Sequence, residues 1–472
     1  MLQRARRHAT ARVLRKGYVR SVIIHHFAIK SSFFMSLGAF RLKRRILVLV
    51  AMLWAGVTLI SCGGYNSGYK PPSGLRERVL ASQGVTAGFS TGGLQIIDGY
   101  NDTIPRVAPL GAGSSPGLMA ITPTRNIAAA FDASSNNVYA VDTVKESAIG
   151  NVRIAGPTTS MVFPTAIGIG YAAVPTATVN GFSFIGAIDV MNFSTGVLTT
   201  IAVSNAQTVV SNATGTQLLV FSNDSNSVTV LVPDVAVPPV DVSCSTAPNA
   251  VCTVVPGFDR PVNAVVSGST AYVLNCGPQC GGVQASVAVF DLNSLTITST
   301  IPVDAATMAI LNGSTLYVAG TSPTKNACTG ETTAATICGR LDVVDLGSGT
   351  VTGSAVITDG YHDRMDMTTN NQIFIGSHDC TNIGNVNNPV GEVRGCLTIF
   401  KIADGSVVIP PDNGNVNGLQ GFVSRTVEYV AQGGNLRVYD ITKDILLIND
   451  FLPEGNINIV GYVGDVKAID FF

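Results

Sequence analysis

Ser286–Val303 reads SVAVFDLNSLTITSTIPV. Apolar and polar residues alternate up to Asp291, turn-forming residues occupy Asp291-Leu292-Asn293-Ser294, and alternation resumes to Val303. A period of two marks a half-buried strand. The stretch therefore predicts two antiparallel strands joined by a tight turn. Its first half recurs along the chain: Leu94–Asp98, Val138–Asp142, Ile188–Asn192, Val228–Val232, Val287–Asp291, Leu341–Asp345, Leu397–Lys401 and Leu436–Asp440, at intervals of 39 to 59 residues. Repeats of about 40–50 residues, each with four short strands, signify the blades of a β-propeller.

Each copy is read as strand c of a blade. Around the sixth, Thr307–Leu311, Thr315–Ala319, Arg340–Asp345 and Val351–Ile357 supply strands a to d. In the last, Thr426–Ala431, Asn435–Asp440 and Ile445–Phe451 supply b, c and d. The predicted fold is all-β: one propeller over 77–472 with about eight four-stranded blades, or seven if the copy at Val232 is incomplete. Arg78–Ser82 is the only clear strand before the first copy, and Val466–Phe472 is left over after the last. Pairing these two would close the ring and cover two sheet edges. The repeated Asp is read as a cap on the turn after strand c.

Composition agrees. Only 12 % of residues are charged, Gly reaches 49, and the many short Val/Ile/Leu segments exclude disorder. Residues 1–61 hold 12 Lys/Arg and no Asp/Glu, which leaves the rest with 17 basic and 30 acidic residues, a net of −13. An acidic domain without clustered positive charge does not suit nucleic acid.

The basic N-terminus divides at Met35, with 1–34 read as an over-long or unstructured extension. Arg41, Lys43, Arg44 and Arg45 precede the apolar run Ile46–Ile60, which is short for a membrane span and fits an export signal over 35–61. Leu59-Ile60-Ser61-Cys62 resembles the lipobox of bacterial lipoproteins. The resemblance implies cleavage before Cys62, acylation of that cysteine and a lipid anchor in a membrane of the cell envelope. Residues 62–76, rich in Gly, Ser and Pro, are read as a tether. The repeat itself, best at Val138–Asp142 and Leu316–Ala319, resembles YVTN-type and quinoprotein-like propellers. The only Trp is Trp54, so the Trp-Asp pair of WD40 repeats and the Trp motifs of quinone-dependent dehydrogenases are missing.

Beyond Cys62 there are eight cysteines in four neighbouring couples: Cys244/Cys252, Cys276/Cys280, Cys328/Cys338 and Cys380/Cys396. An even count in an exported chain predicts disulfides and an oxidising compartment. Nearest-neighbour pairing is favoured, and the last three couples fall in b–c loops, on one face of the ring.

Candidate chemistry is sparse. After Cys62 the only histidines are His362 and His378. A hairpin of Asp363–Thr369 and Gln372–Ser377 would set them opposite each other, with Asp363 and Asp379 alongside, as a candidate site for a transition metal. No other cofactor is expected. Asp259-Arg260 and Asp363-Arg364, near blade starts, are candidates to line the central opening. Gly113–Gly117 matches G-x-S-x-G but lacks the strand–helix context of a nucleophile elbow. The favoured reading is a monomeric, membrane-anchored binding or scaffolding module for a protein, glycan or envelope component. The alternative is an envelope hydrolase, lactonase or metal-dependent oxidoreductase.

Overall fold

A computed structural model describes residues 70–85, 92–233, 244, 251–322, 338–380, 396–410, 414–422 and 424–470. Eight antiparallel sheets follow one another along the chain, and all eight predicted copies are third strands. Blade 5 shows the pattern: Pro261–Ser267, Thr270–Asn275, Ser286–Asp291 and Thr296–Pro302 are strands a to d from the axis outward. Strand c is buried on both sides, so it reads as a nearly continuous apolar run, whereas strand d is mostly exposed and rich in Thr and Ser. Blade 4 is complete, with Ser227–Leu231 as c and Cys252–Pro256 as d, so the count is eight and not seven.

The core is distributed. Eight apolar clusters are found, one in each seam between neighbouring blades. Between blades 4 and 5, for example, Phe221, Val228 and Val230 meet Val273, Ala288 and Phe290. No single blade buries its own faces, so the ring is stable only when closed.

Closure takes the predicted form. Tyr462–Ala468 pairs with Arg78–Gly84, which pairs with Gly93–Asp98. The C-terminal strand starts earlier than the expected Val466. The last blade differs more. Its outer strand is split into Ile445–Leu446 and Asn456–Ile457. Between them Asn449 caps a turn through the N–H groups of Phe451 and Leu452, and Gly455 takes φ +68°, so a straight run to Phe451 is interrupted.

The repeated polar residue after strand c caps its turn as read. The Oδ1 atoms of Asp98, Asp142, Asn192, Asp291 and Asp440 accept N–H groups two residues on, and in the first four also three residues on. These bonds, that of Ser294 foremost, hold the Asp291 carboxyl below its ordinary pKa. Another device joins blades. Asp189 and Asp342, second in their c-strand phrases, accept the N–H groups of Ala155 (2.7 Å) and Asp304 (2.6 Å) from the preceding blade's exit loop.

The expected segments 1–34 and 35–61, with Cys62, lie outside the described residues. The stretch read as tether is fixed at its far end: Ser73 donates from both N–H and Oγ to Glu146, at 2.6 Å each, and Leu75 packs against the seam between blades 1 and 2.

Candidate functional site at the mouth of the central opening

Strands a surround the axis. Each begins on the face that carries the d–a and b–c loops. In six blades the first turn of pairing between a and b is broken by a β-bulge. The extra residue is Gln207 in blade 4, Val262 in blade 5, Asp363 in blade 7 and Asn417 in blade 8, while two residues face one in blade 1, Gly464 and Asp465 against Ser82, and in blade 2, Gly117 and Leu118 against Phe131. A bulge leaves one residue out of the ladder and re-aims its side chain. Gln207, Val262, Asp363 and Asn417, with Gly464 and Leu118 from the two-residue bulges, line one cavity of about 610 Å³ at the mouth of the central opening. The fold thus delivers a different residue from each of six blades to one place.

The bulge in blade 7 decides the fate of the two histidines. Tyr361–Met367 pairs with Gln372–His378. Beyond the bulge the register slips by one, so His378 faces Tyr361 and His362 faces Ser377. The expected opposition of His362 and His378 does not occur. His362 is fully buried in the seam with blade 6, where Gly339 leaves room for its ring: a Cβ there would stand 2.8 Å from Cε1. Neither ring nitrogen has a partner in hydrogen-bonding geometry. Burial pushes its pKa down to about 4, against the opposing influence of the Thr358 backbone and Asp363.

Of the four candidate metal ligands, the structure brings His378 and Asp363 together, Nε2 to Oδ1 at 3.2 Å. His362 is turned away into the core. Asp379 is exposed, with φ +53°, and its N–H donates to Asn415. Among the described residues no three His, Cys, Asp or Glu side chains gather as a metal-binding group.

Asp363 is held from the other side by Arg364, Nη1 to Oδ2 at 3.1 Å, while Arg364 Nε donates to the Asn417 carbonyl at 2.8 Å. Asn417 in turn donates to the Tyr462 hydroxyl at 2.6 Å. Across the opening, Gln207 donates to Thr159 and accepts from Asn223, both at 3.0 Å. Tyr361 leans over the mouth, 41 % exposed. The surrounding wall and the Asp363 carboxylate push its pKa up to about 12, so the hydroxyl keeps its proton at any physiological pH.

A second lobe of about 410 Å³ opens beside the first, over blades 4 and 5, and includes Asn223, Asp224, Arg260 and Cys280. Arg260 pairs with Asp224 at 3.3 Å. Asp259 is used otherwise. It accepts the N–H groups of Val283 and Gln284, which pins the Cys276–Cys280 loop beside the mouth. Of the two acid–arginine pairs read as lining the opening, Asp363, Arg364 and Arg260 do so and Asp259 does not.

Disulfides join Cys244 to Cys252, Cys276 to Cys280 and Cys380 to Cys396, with Cα atoms 5.4, 5.6 and 5.6 Å apart. Cys338 is also disulfide-bonded; the expected partner Cys328 lies outside the described residues. These bonds fit an oxidising, extracytoplasmic setting. The Cys276–Cys280 loop follows strand b of blade 5, on the face of the mouth. From it Gln279 accepts the Thr321 N–H of blade 6 at 2.8 Å and donates to the carbonyl of Gly360, which leads into blade 7. One stapled loop thereby fixes three blades around the mouth.

Sequence reasoning missed Gln207, Val262, Asn417, Leu118 and Tyr361. Their common feature is position, at the start of strand a, and no residue type marks it.

No protein family and no curated protein sequence matches this chain. Solved structures do. Dihydro-heme d1 dehydrogenase NirN, solved in complex with DHE, is similar over 86 % of this chain and 78 % of its own, at 12 % identity and a TM-score of 0.55. Hydrazine synthase of Kuenenia stuttgartiensis is similar over 76 % of this chain and 93 % of its own, at 12 % identity and a TM-score of 0.42. At 12 % identity the likeness to NirN is one of fold.

Proposed function

We propose that the chain is an envelope lipoprotein, anchored through Cys62, whose propeller is a binding module with its site at the bulge-lined mouth. The observation that carries the reading is the convergence of six bulge residues from six blades on one cavity. Bulges are frequent beside binding and active sites, where they re-aim side chains. The polar groups there are held by one another, as in the Thr159–Gln207–Asn223 chain. Such pre-ordering favours binding because less freedom is lost when a ligand arrives. The anchor rests on the lipobox-like Leu59–Cys62 and the apolar run before it.

The test is retention of solubilised envelope components on immobilised protein, wild type against Gln207→Ala/Asn417→Ala. The reading expects a component held by wild type and lost from the double variant. Identical retention profiles would contradict it. For the anchor, Cys62→Ser should release the protein from the membrane fraction or block processing.

A further inference from the structure

We propose that the ligand of the mouth is a neutral oligosaccharide, stacked on the ring of Tyr361; the inference rests on the binding-module reading above.

Three features of the cavity select this chemistry. The first is charge. Arg260 is paired with Asp224, and Arg364 with Asp363, which also lies 3.2 Å from His378. Among the described residues lining the mouth, each arginine already has its carboxylate. Among the described lining residues no surplus of either sign is left to select a phosphate, a carboxylate or an ammonium group.

The second is the character of the polar groups. Thr159, Thr208, Gln207, Asn223, Asn263 and Asn417 line the two lobes. Hydroxyls and carboxamides both donate and accept. A sugar hydroxyl does the same, so each can be met in either sense.

The third is the alternation of wet and greasy wall. Leu118, Met161, Val210 and Val262 share the cavity with the polar set. A pyranose presents C–H faces between its hydroxyl edges and matches such a surface. Tyr361 lines both lobes, as do Gln207, Thr208 and Val262. Its ring therefore stands where a chain of sugar units would pass from one lobe to the other. The lobes, of about 610 and 410 Å³, fall within the usual range of about 300–1,000 Å³ for small-ligand sites. A protein partner needs a broader surface, with about 800 Å² buried on each side, and a concave mouth suits it less.

The experiment is saturation-transfer NMR on the purified full chain with chitotriose, maltotriose and cellotriose as probes. The proposal expects transfer to the ring C–H protons of at least one. Tyr361→Ala should weaken that binding about tenfold or more, while Tyr361→Phe, which keeps the stacking face, should retain it. Rising salt should leave it unchanged, because no net charge is read. Tyr100→Ala, outside the lining of both lobes, should not affect it. Absence of transfer from all three probes, or transfer undiminished in Tyr361→Ala, would overturn the proposal. If no sugar binds but an envelope protein is held by wild type and lost from Gln207→Ala/Asn417→Ala, the saccharide assignment falls and the binding site stands.

Discussion

Arg78 and Asp470 stand 392 residues apart in the chain and form a two-pronged pair, Nε to Oδ2 at 2.9 Å and Nη2 to Oδ1 at 2.7 Å. Both side chains are shut from solvent, at 1 % and 0 % exposure. Asp470 also accepts the Arg78 backbone N–H, and the guanidinium reaches Glu146 of blade 2 at 2.7 Å. The pair therefore fastens the C-terminal end to the first strand of the chain and to the next blade. Removing Asp470 takes one of two carboxylates from the buried guanidinium and leaves it to Glu146. Asp470→Asn should cost about 1–3 kcal/mol in urea unfolding. Arg78→Met should cost more, about 3–5 kcal/mol, because it leaves the buried carboxylates of Glu146 and Asp470 without the guanidinium. A loss below about 1 kcal/mol for Asp470→Asn would show that the hydrogen-bonded strands close the ring without it.

His362 predicts an acid-sensitive seam between blades 6 and 7. Its pKa is about 4 in the folded protein and 6.5 when unfolded. The unfolded chain takes up the proton first, so stability is fully present above about pH 6.5 and declines as pH falls towards 4. The full loss is about 3 kcal/mol. Urea midpoints measured over this interval should show the slope in wild type and a shallower slope in His362→Leu. Equal slopes would mean that other groups govern the acid response.

The opposite slope is expected from Glu428, at the far end of the seam between blades 7 and 8. It is fully buried, and neither oxygen has a hydrogen-bond partner. Its carboxylate and that of Asp366 converge over Gly421, where a Cβ would lie 2.9 Å from Glu428 Oε2 and 3.3 Å from Asp366 Oδ2. Burial first, and Asp366 second, raise the Glu428 pKa well above its ordinary value. The folded state therefore holds a proton that the unfolded state releases, and this contribution weakens as pH rises from the normal carboxyl range to the raised pKa. Glu428→Gln should be more stable than wild type at pH 7, by a margin that shrinks towards pH 4. A variant less stable than wild type at pH 7 would refute the protonated assignment.

Asp189 tests the bonds between blades. It is buried and accepts from Ala155 N–H at 2.7 Å and Thr200 Oγ at 2.8 Å. Asp189→Ala should cost about 1–3 kcal/mol, read in urea, because the Ala155 N–H loses its partner. No change would mean that another group takes that N–H.

The sequence carried what is local. Turn caps join residues two or three apart, as Asp291 does with Asn293 and Ser294, and the apolar run of each third strand shows in its own residues. The disulfide couples are also close in the chain. What could not be read depends on partners far away. The bulge at Asp363 comes from a mismatch between two strands, and it alone moves His362 from the mouth to the core. Asp189 and Asp342 stood inside recognised phrases, but their partners belong to the preceding blade. The candidate metal set failed to assemble for the same reason: a one-residue slip reverses which face a side chain takes.

The proposed binding surface is formed by the bulged starts of the inner strands. Hydrogen–deuterium exchange of the full chain, with and without the envelope component it retains, tests this most directly. Protection is predicted at 116–119, 206–208, 261–263, 361–364 and 416–418, with the outer strands unchanged. Protection confined to outer strands such as Thr296–Pro302, or to turns on the opposite face such as 312–314, would contradict it.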